Sequence, residues 1–296
     1  MNETLKRGIS GVVFIALLIT SILYSTESFI VLFGIFLCIA TYEFCGLIKI
    51  NRVLPILFTT GFYSSFSLIN YFKSETEKQL STVFNRGIQL DVNKNQVDII
   101  LLSICLFVSI KCIVFLFDDR IQTLDSFSKY IYLIGYILLP FIFITKISFG
   151  VNDYNPKIII GLFILIWTND TFAYLVGKSV GKHKLLERIS PKKTIEGFIG
   201  GIVFAVFAGF LISKLYIQPN PNFSQKSILI WTSIALLVGV IGTIGDLIES
   251  KFKRIAGVKD SGKIMPGHGG ILDRLDSVIF VAPFIYLFYK ILNYVS

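Results

Sequence analysis

Nine apolar stretches of membrane-crossing length, set apart by short polar segments, restrict this chain more than any other feature. They span about 8–25, 28–48, 53–72, 97–117, 130–147, 157–177, 195–214, 227–248 and 276–295. A bilayer core of about 30 Å takes roughly 20 residues at a helical rise of 1.5 Å each, so every stretch reads as one crossing. The predicted fold is all-α, a polytopic integral membrane protein with about nine transmembrane helices. The first stretch follows Lys6 and Arg7 like a signal peptide, but no small-x-small cleavage pattern comes after it, and it is kept as a helix. No fixed-period repeat is visible, so a single integral domain over 1–296 is the simplest organisation.

Composition agrees: 54% hydrophobic residues, 16% charged residues and a mean hydropathy of +0.73 exclude both a soluble cytosolic protein and a disordered one. Cys38, Cys45, Cys105 and Cys112 form no CxxC pair and lie in apolar stretches, which points to packed thiols rather than disulfides or zinc ligands. The net charge of +9 comes from runs between the apolar blocks. Anionic lipid or a phosphorylated ligand is the expected partner, not nucleic acid.

Basic residues retained on the cytoplasmic side set the orientation. Of 28 Lys and Arg, eighteen fall at the N-terminus and in the loops on its side of the membrane, against nine on the other. The N-terminus is therefore expected in the cytoplasm and the C-terminus outside. Residues 73–96 form one long polar insert, read as an extracytoplasmic loop. Two cytoplasmic loops, 178–193 and 251–274, hold twelve of the eighteen cations.

The stretch from Gly245 interleaves acids and bases before a Pro266–Gly270 turn. Asp273 and Asp276, three apart at the start of the last helix, share one face, and Asp246 ends the preceding block at the same membrane level. Three such carboxylates without Cys suit a hard cation such as Mg²⁺. The other reading is that they only pair with Lys253, Arg254 and Arg274. Lys253, Arg254, Lys259 and Lys263 supply positive charge for phosphates. His268, in the glycine run, is a candidate phosphate contact. His183, in a basic run, reads as solvated.

In the other loop, Asp170 lies inside an apolar block, where a carboxylate is costly and points to function. The cations Lys178, Lys182, Lys184, Arg188, Lys192 and Lys193 follow, and Ser190-Pro191-Lys192-Lys193-Thr194 is predicted to open a new helix whose donor-rich terminus attracts anions. No GxxxxGK[ST] spacing occurs there. Glu43 and Lys111 also fall in apolar blocks, where a mutual or backbone partner accounts for them.

With both loops read, the chain resembles the phosphatidate cytidylyltransferase (CDP-diglyceride synthase) family. The resemblance is carried by SKFKR at Ser250–Arg254, Lys259-Asp260, PGHGG at Pro266–Gly270 and DRLD at Asp273–Asp276. Met265 stands where the family usually has Leu, Ile or Phe. The earlier loop adds Asp170, Gly177-Lys178, Gly181-Lys182, Ser190–Thr194 and Glu196-Gly197. The catalytic region is thus placed at 169–277. The resemblance implies conversion of phosphatidic acid and CTP into CDP-diacylglycerol and pyrophosphate in a bacterial-type cell membrane, by a homodimer using Mg²⁺ and a potassium-like second cation. It assigns Asp246, Asp273 and Asp276 to the metals, with Lys253 and Arg254 beside the reacting phosphates. Ser250, Lys259, Asp260, His268 and Arg274 go to the nucleotide and phosphate site, and Asp170, Lys178, Lys192 and Lys193 join them as substrate-binding candidates. A CTP-dependent kinase of a polyprenol or diacylglycerol and an anion transporter are the rival readings. The first would release CDP; the second is disfavoured because the charges gather at one membrane face.

Overall fold

The computed structural model describes residues 3–67, 92–118, 124–149, 154–217, 225–267 and 269–295. Its helices are α1 (Glu3–Tyr24), α2 (Thr26–Ile48), α3 (53–67), α4 (Val92–Phe117), α5 (Ser126–Ser148), α6 (Pro156–Val180), α7 (Ile195–Ile217), α8 (Gln225–Ala256) and α9 (Leu272–Val295). All but α3, described only to residue 67, are long and apolar enough to cross a membrane. The architecture is an all-α membrane bundle. Most of the insert 73–96 lies outside the described residues, and its last part, from Val92, already belongs to α4.

Local chemistry starts and stops these helices. Ser25 and Ser28 form a reciprocal capping box at the one-residue break between α1 and α2, with Ser28 N donating to Ser25 Oγ at 3.2 Å. Asn155 caps α6, ahead of Pro156 at its first position. Gly257 ends α8 with φ +74°, the left-handed conformation that favours glycine. A π-helical turn interrupts α5 at Leu133–Leu138 and α8 at Val238–Gly242, and another forms the last part of α7 at Ile212–Ile217.

Between α6 and α7 the chain forms a short antiparallel hairpin, β1 (Lys184–Leu186) and β2 (Ser190–Thr194), with Lys184 opposite Thr194. This departs from the expectation that Ser190–Thr194 opens a helix. Pro191 could sit in a first helical turn, but Thr194 takes the cap instead, its Oγ1 accepting from Gly197 N at 3.1 Å, so α7 starts one residue later. Glu196 closes the hairpin by accepting from the Lys182 and His183 amides at 3.0 and 3.2 Å, and its Oε1 lies 2.6 Å from His183 Nδ1.

Two glycines decide how the site elements approach. A Cβ on Gly201 would sit 2.8 Å from the Asn169 carbonyl oxygen, so α7 runs against α6 backbone to backbone. A Cβ on Gly245 would sit 2.5 Å from Phe280 Cβ and 3.0 Å from the Asp276 carbonyl, which draws α8 onto α9 beside the acidic residues of both. Below them Phe252 packs within 4.9 Å of Phe115, 5.1 Å of Phe44 and 5.6 Å of Tyr136, centroid to centroid. That buried aromatic cluster fixes the end of α8 against α2, α4 and α5. Lys251 beside it is also buried and donates to the carbonyls of Phe115 and Asp118, at the C-terminal end of α4. Cys45, Cys105 and Cys112 are buried, Cys38 is half-buried, and all four are free thiols, as expected.

Candidate active site

On α8, Asp246, Glu249, Ser250 and Lys253 follow at three- and four-residue steps and therefore share one helical face. The Gly245 approach turns that face toward α9. One carboxylate oxygen from each of Asp246, Glu249 and Asp276 lies within 4.8 Å of the others. Glu249 is fully buried; its Oε1 lies there without a hydrogen-bond partner, and its Oε2 faces the Lys253 ammonium. A buried acceptor left unpartnered is costly, and an all-carboxylate donor set suits a hard divalent cation. The residues present thus fit Mg²⁺.

This trio differs from the one expected. Asp246 and Asp276 come together, but Glu249 stands where Asp273 was assigned. Asp273 has contacts of its own. Its Oδ1 lies 2.6 Å from Lys253 Nζ, and its Oδ2 accepts from Ser261 N, Ser261 Oγ and Gly270 N, each at 2.8 Å. Asp273 braces the loop before α9. Glu249 was legible in principle, because it follows Asp246 by the same three-residue step that picked out Asp273 and Asp276.

Asp246 and Asp276 open onto one cavity of about 860 Å³, with Glu249 buried behind them. From α6 it is lined by Asp170 and Lys178, from the hairpin by Lys184, Lys192 and Lys193, from α8 by Asp246, Ser250, Lys253 and Arg254, and from the following loop and α9 by Lys259, Asp260, Asp273, Arg274 and Asp276. Of the site residues expected from the sequence, Lys263 is absent from this wall and His268 lies outside the described residues; the others assigned to the metals, nucleotide and phosphates all line it. Asn169, Tyr174 and Thr243 also line it and were not expected. Asn169 is buried, with Nδ2 donating to Asp170 Oδ1 at 3.3 Å. Lys193 Nζ meets Asp246 Oδ2 at 2.5 Å, which ties the hairpin to the acids, and Arg254 Nε donates to the Ile189 carbonyl at 3.2 Å from the other side. Lys178, Lys192 and Lys259 present exposed side chains to the cavity.

Cations outnumber carboxylates in this wall, so it is electropositive around an acidic centre. Such a cavity can take a polyanion whose phosphates meet lysines at the rim and a carboxylate-held divalent ion within. It sits at one end of the bundle, where α6, α8 and α9 carry their charged termini. Of the other charges in apolar stretches, Glu43 accepts from backbone amides of Ile271 and Leu272, and Lys111 lies 5.9 Å from the Phe107 ring centroid.

A model of the Cytidylyltransferase family matches residues 5–292. The phosphatidate cytidylyltransferase of Staphylococcus aureus (strain COL) is 50% identical over 121 residues, which is 41% of this chain and 44% of that protein. That of Bacillus subtilis (strain 168) is 46% identical over 137 residues, 46% of this chain and 49% of the relative. The aligned stretches thus span about half the length of these relatives. Because the family match runs almost from end to end and through every element of the cavity, the chain belongs to the Cytidylyltransferase family.

Proposed function

We propose that this protein transfers the cytidylyl group of CTP to phosphatidic acid, forming CDP-diacylglycerol and releasing pyrophosphate. The observation that carries the reading is the cavity itself, where Asp246 and Asp276, grouped with the buried Glu249 as a set fit for a divalent ion, are ringed by lysines at the end of a membrane bundle. The names of the relatives support the choice of substrates.

A phosphate monoester with a second pKa near 6 is already largely a dianion at neutral pH, so the attacking oxygen needs no strong general base. The obstacle is repulsion between two anions. A phosphatidate oxygen forms a bond to the α-phosphorus of CTP as the bond from that phosphorus to the bridging oxygen of pyrophosphate breaks. Lys178, Lys192 and Lys259 would hold phosphate oxygens and lower that repulsion. Lys193 and Lys253 act differently: each is paired with an acid, and their task is to hold Asp246, Glu249 and Asp273 in place. Asp246, Glu249 and Asp276 would hold a Mg²⁺ ion, which when bound supplies Lewis-acid neutralisation of triphosphate charge.

We place the cavity at the cytoplasmic headgroup level, supported by the excess of Lys and Arg in the loops on that side, where a lipid and a soluble nucleotide can meet. The test is an assay of the purified chain in detergent with CTP, phosphatidate and Mg²⁺, following CDP-diacylglycerol by mass spectrometry and pyrophosphate by coupled assay. Both products must depend on both substrates. Release of CDP in place of pyrophosphate would mark a kinase and overturn the proposal.

A further inference from the structure

Glu43 sits near the end of α2, far in sequence from the cavity residues, and is only 3% exposed. Its carboxylate reaches across to the loop before α9. It accepts from Leu272 N at 2.9 Å and Ile271 N at 3.2 Å, and its Oε2 lies 3.3 Å from Ser261 Oγ. Two glycines make the space for it: a Cβ on Gly262 or on Gly270 would overlap the Glu43 carboxylate. The Ser261 hydroxyl and amide in turn donate to Asp273 Oδ2, whose other oxygen meets Lys253. Lys259 and Asp260, just before Ser261, line the cavity.

We propose that Glu43 is a positioning residue for the nucleotide side of the site. A buried carboxylate near Asp273 would be unfavourable without compensation; two backbone amides supply it, and the Ser261 hydroxyl, with one proton to give, bridges Glu43 and Asp273, so the contacts reach both ends of the loop. Glu43 therefore pins the start of α9 and the Lys259–Ser261 segment to one anchor on α2. Lys259 is held at the cavity rim, and Asp273 is held on Lys253. The helix that carries the anchor contributes no residue to the wall.

The kinetic part of the test rests on the proposed transfer; the structural part does not. Glu43→Gln keeps the size but puts an amide donor among donors, and Gly262→Ala pushes the carboxylate out while leaving it charged. In both, hydrogen exchange of peptides covering Ser261 and Ile271–Leu272 should accelerate at least tenfold, with peptides from α6 unchanged. In the pyrophosphate assay, KM for CTP should rise at least tenfold while KM for phosphatidate stays within twofold. Unchanged exchange in both variants overturns the clamp, whatever the activity. Faster exchange with equal rises in both KM values, or with a fall in kcat alone, overturns its assignment to the nucleotide. If the wild-type protein forms no product, the transfer reading fails and the exchange arm still decides the clamp.

Discussion

Lys253 is the cation on which the buried acids depend, and Lys253→Met should show how strongly. Its ammonium lies 2.6 Å from Asp273 Oδ1 and against Glu249 Oε2, with side-chain exposures of 12%, 7% and 0% for Lys253, Asp273 and Glu249. Methionine fills similar volume but leaves two buried carboxylates without their counter-charge. Removing one partner of a buried pair costs about 3–5 kcal/mol, since the desolvation of the remaining charge is no longer offset. At about 2 °C per kcal/mol for a chain of this size, the midpoint of thermal unfolding should fall by roughly 6–10 °C. The assay is heating in detergent without divalent ions, followed by size-exclusion chromatography with fluorescence detection. Adding Glu249→Gln removes one of the stranded charges, and the pair should couple by about 0.5–3 kcal/mol, so the double variant should be more stable than the summed single effects. A drop of less than about 2 °C in the single variant, or strict additivity in the double, would refute this account of Lys253.

Further outcomes can be measured on the same protein. Mg²⁺ at a hundred times its Kd should stabilise the wild type by about 2.7 kcal/mol, roughly 5 °C, an effect that Asp246→Asn or Asp276→Asn should abolish. Asp273→Asn should keep that shift yet lose turnover, because it releases Lys253 and the loop amides; loss of the shift would return Asp273 to the metal. Combined Lys192→Ala and Lys193→Ala should raise KM for CTP at least tenfold in the pyrophosphate assay, and unchanged constants would remove the hairpin from substrate binding. Gly201→Leu should destabilise by about 1–3 kcal/mol in the heating assay through collision with α6, whereas Gly61→Leu, with open space around it, should not.

The bundle was legible because hydropathy counts what a bilayer demands of every crossing. Boundaries were less so where charge stops the count but not the helix. The eighth apolar block ends at 248, yet α8 continues to Ala256, because Lys251 and Lys253 find carbonyl and carboxylate partners and Phe252 is buried between them. The last block starts at 276, yet α9 starts at Leu272, where a carboxylate from α2 receives the first amides. A partner 229 positions away leaves no local trace. Nor does spacing reveal occupancy: Asp273 and Asp276 share a helical face, but only a three-dimensional arrangement shows that Ser261 and Gly270 have claimed one of them.

The wide turn at Val238–Gly242 separates the apolar part of α8 from its charged part. Its backbone bonds span five residues where an ordinary helical turn spans four. At 3.6 residues per turn, one residue more or fewer rotates everything downstream by about 100°. The turn thus sets the direction in which the lower half of α8 faces relative to the half above it, as a swivel sets a tool on its shaft. Excising a single residue there would swing Asp246, Glu249 and Lys253 together away from Asp276 and would draw Phe252 out of its aromatic cluster with them.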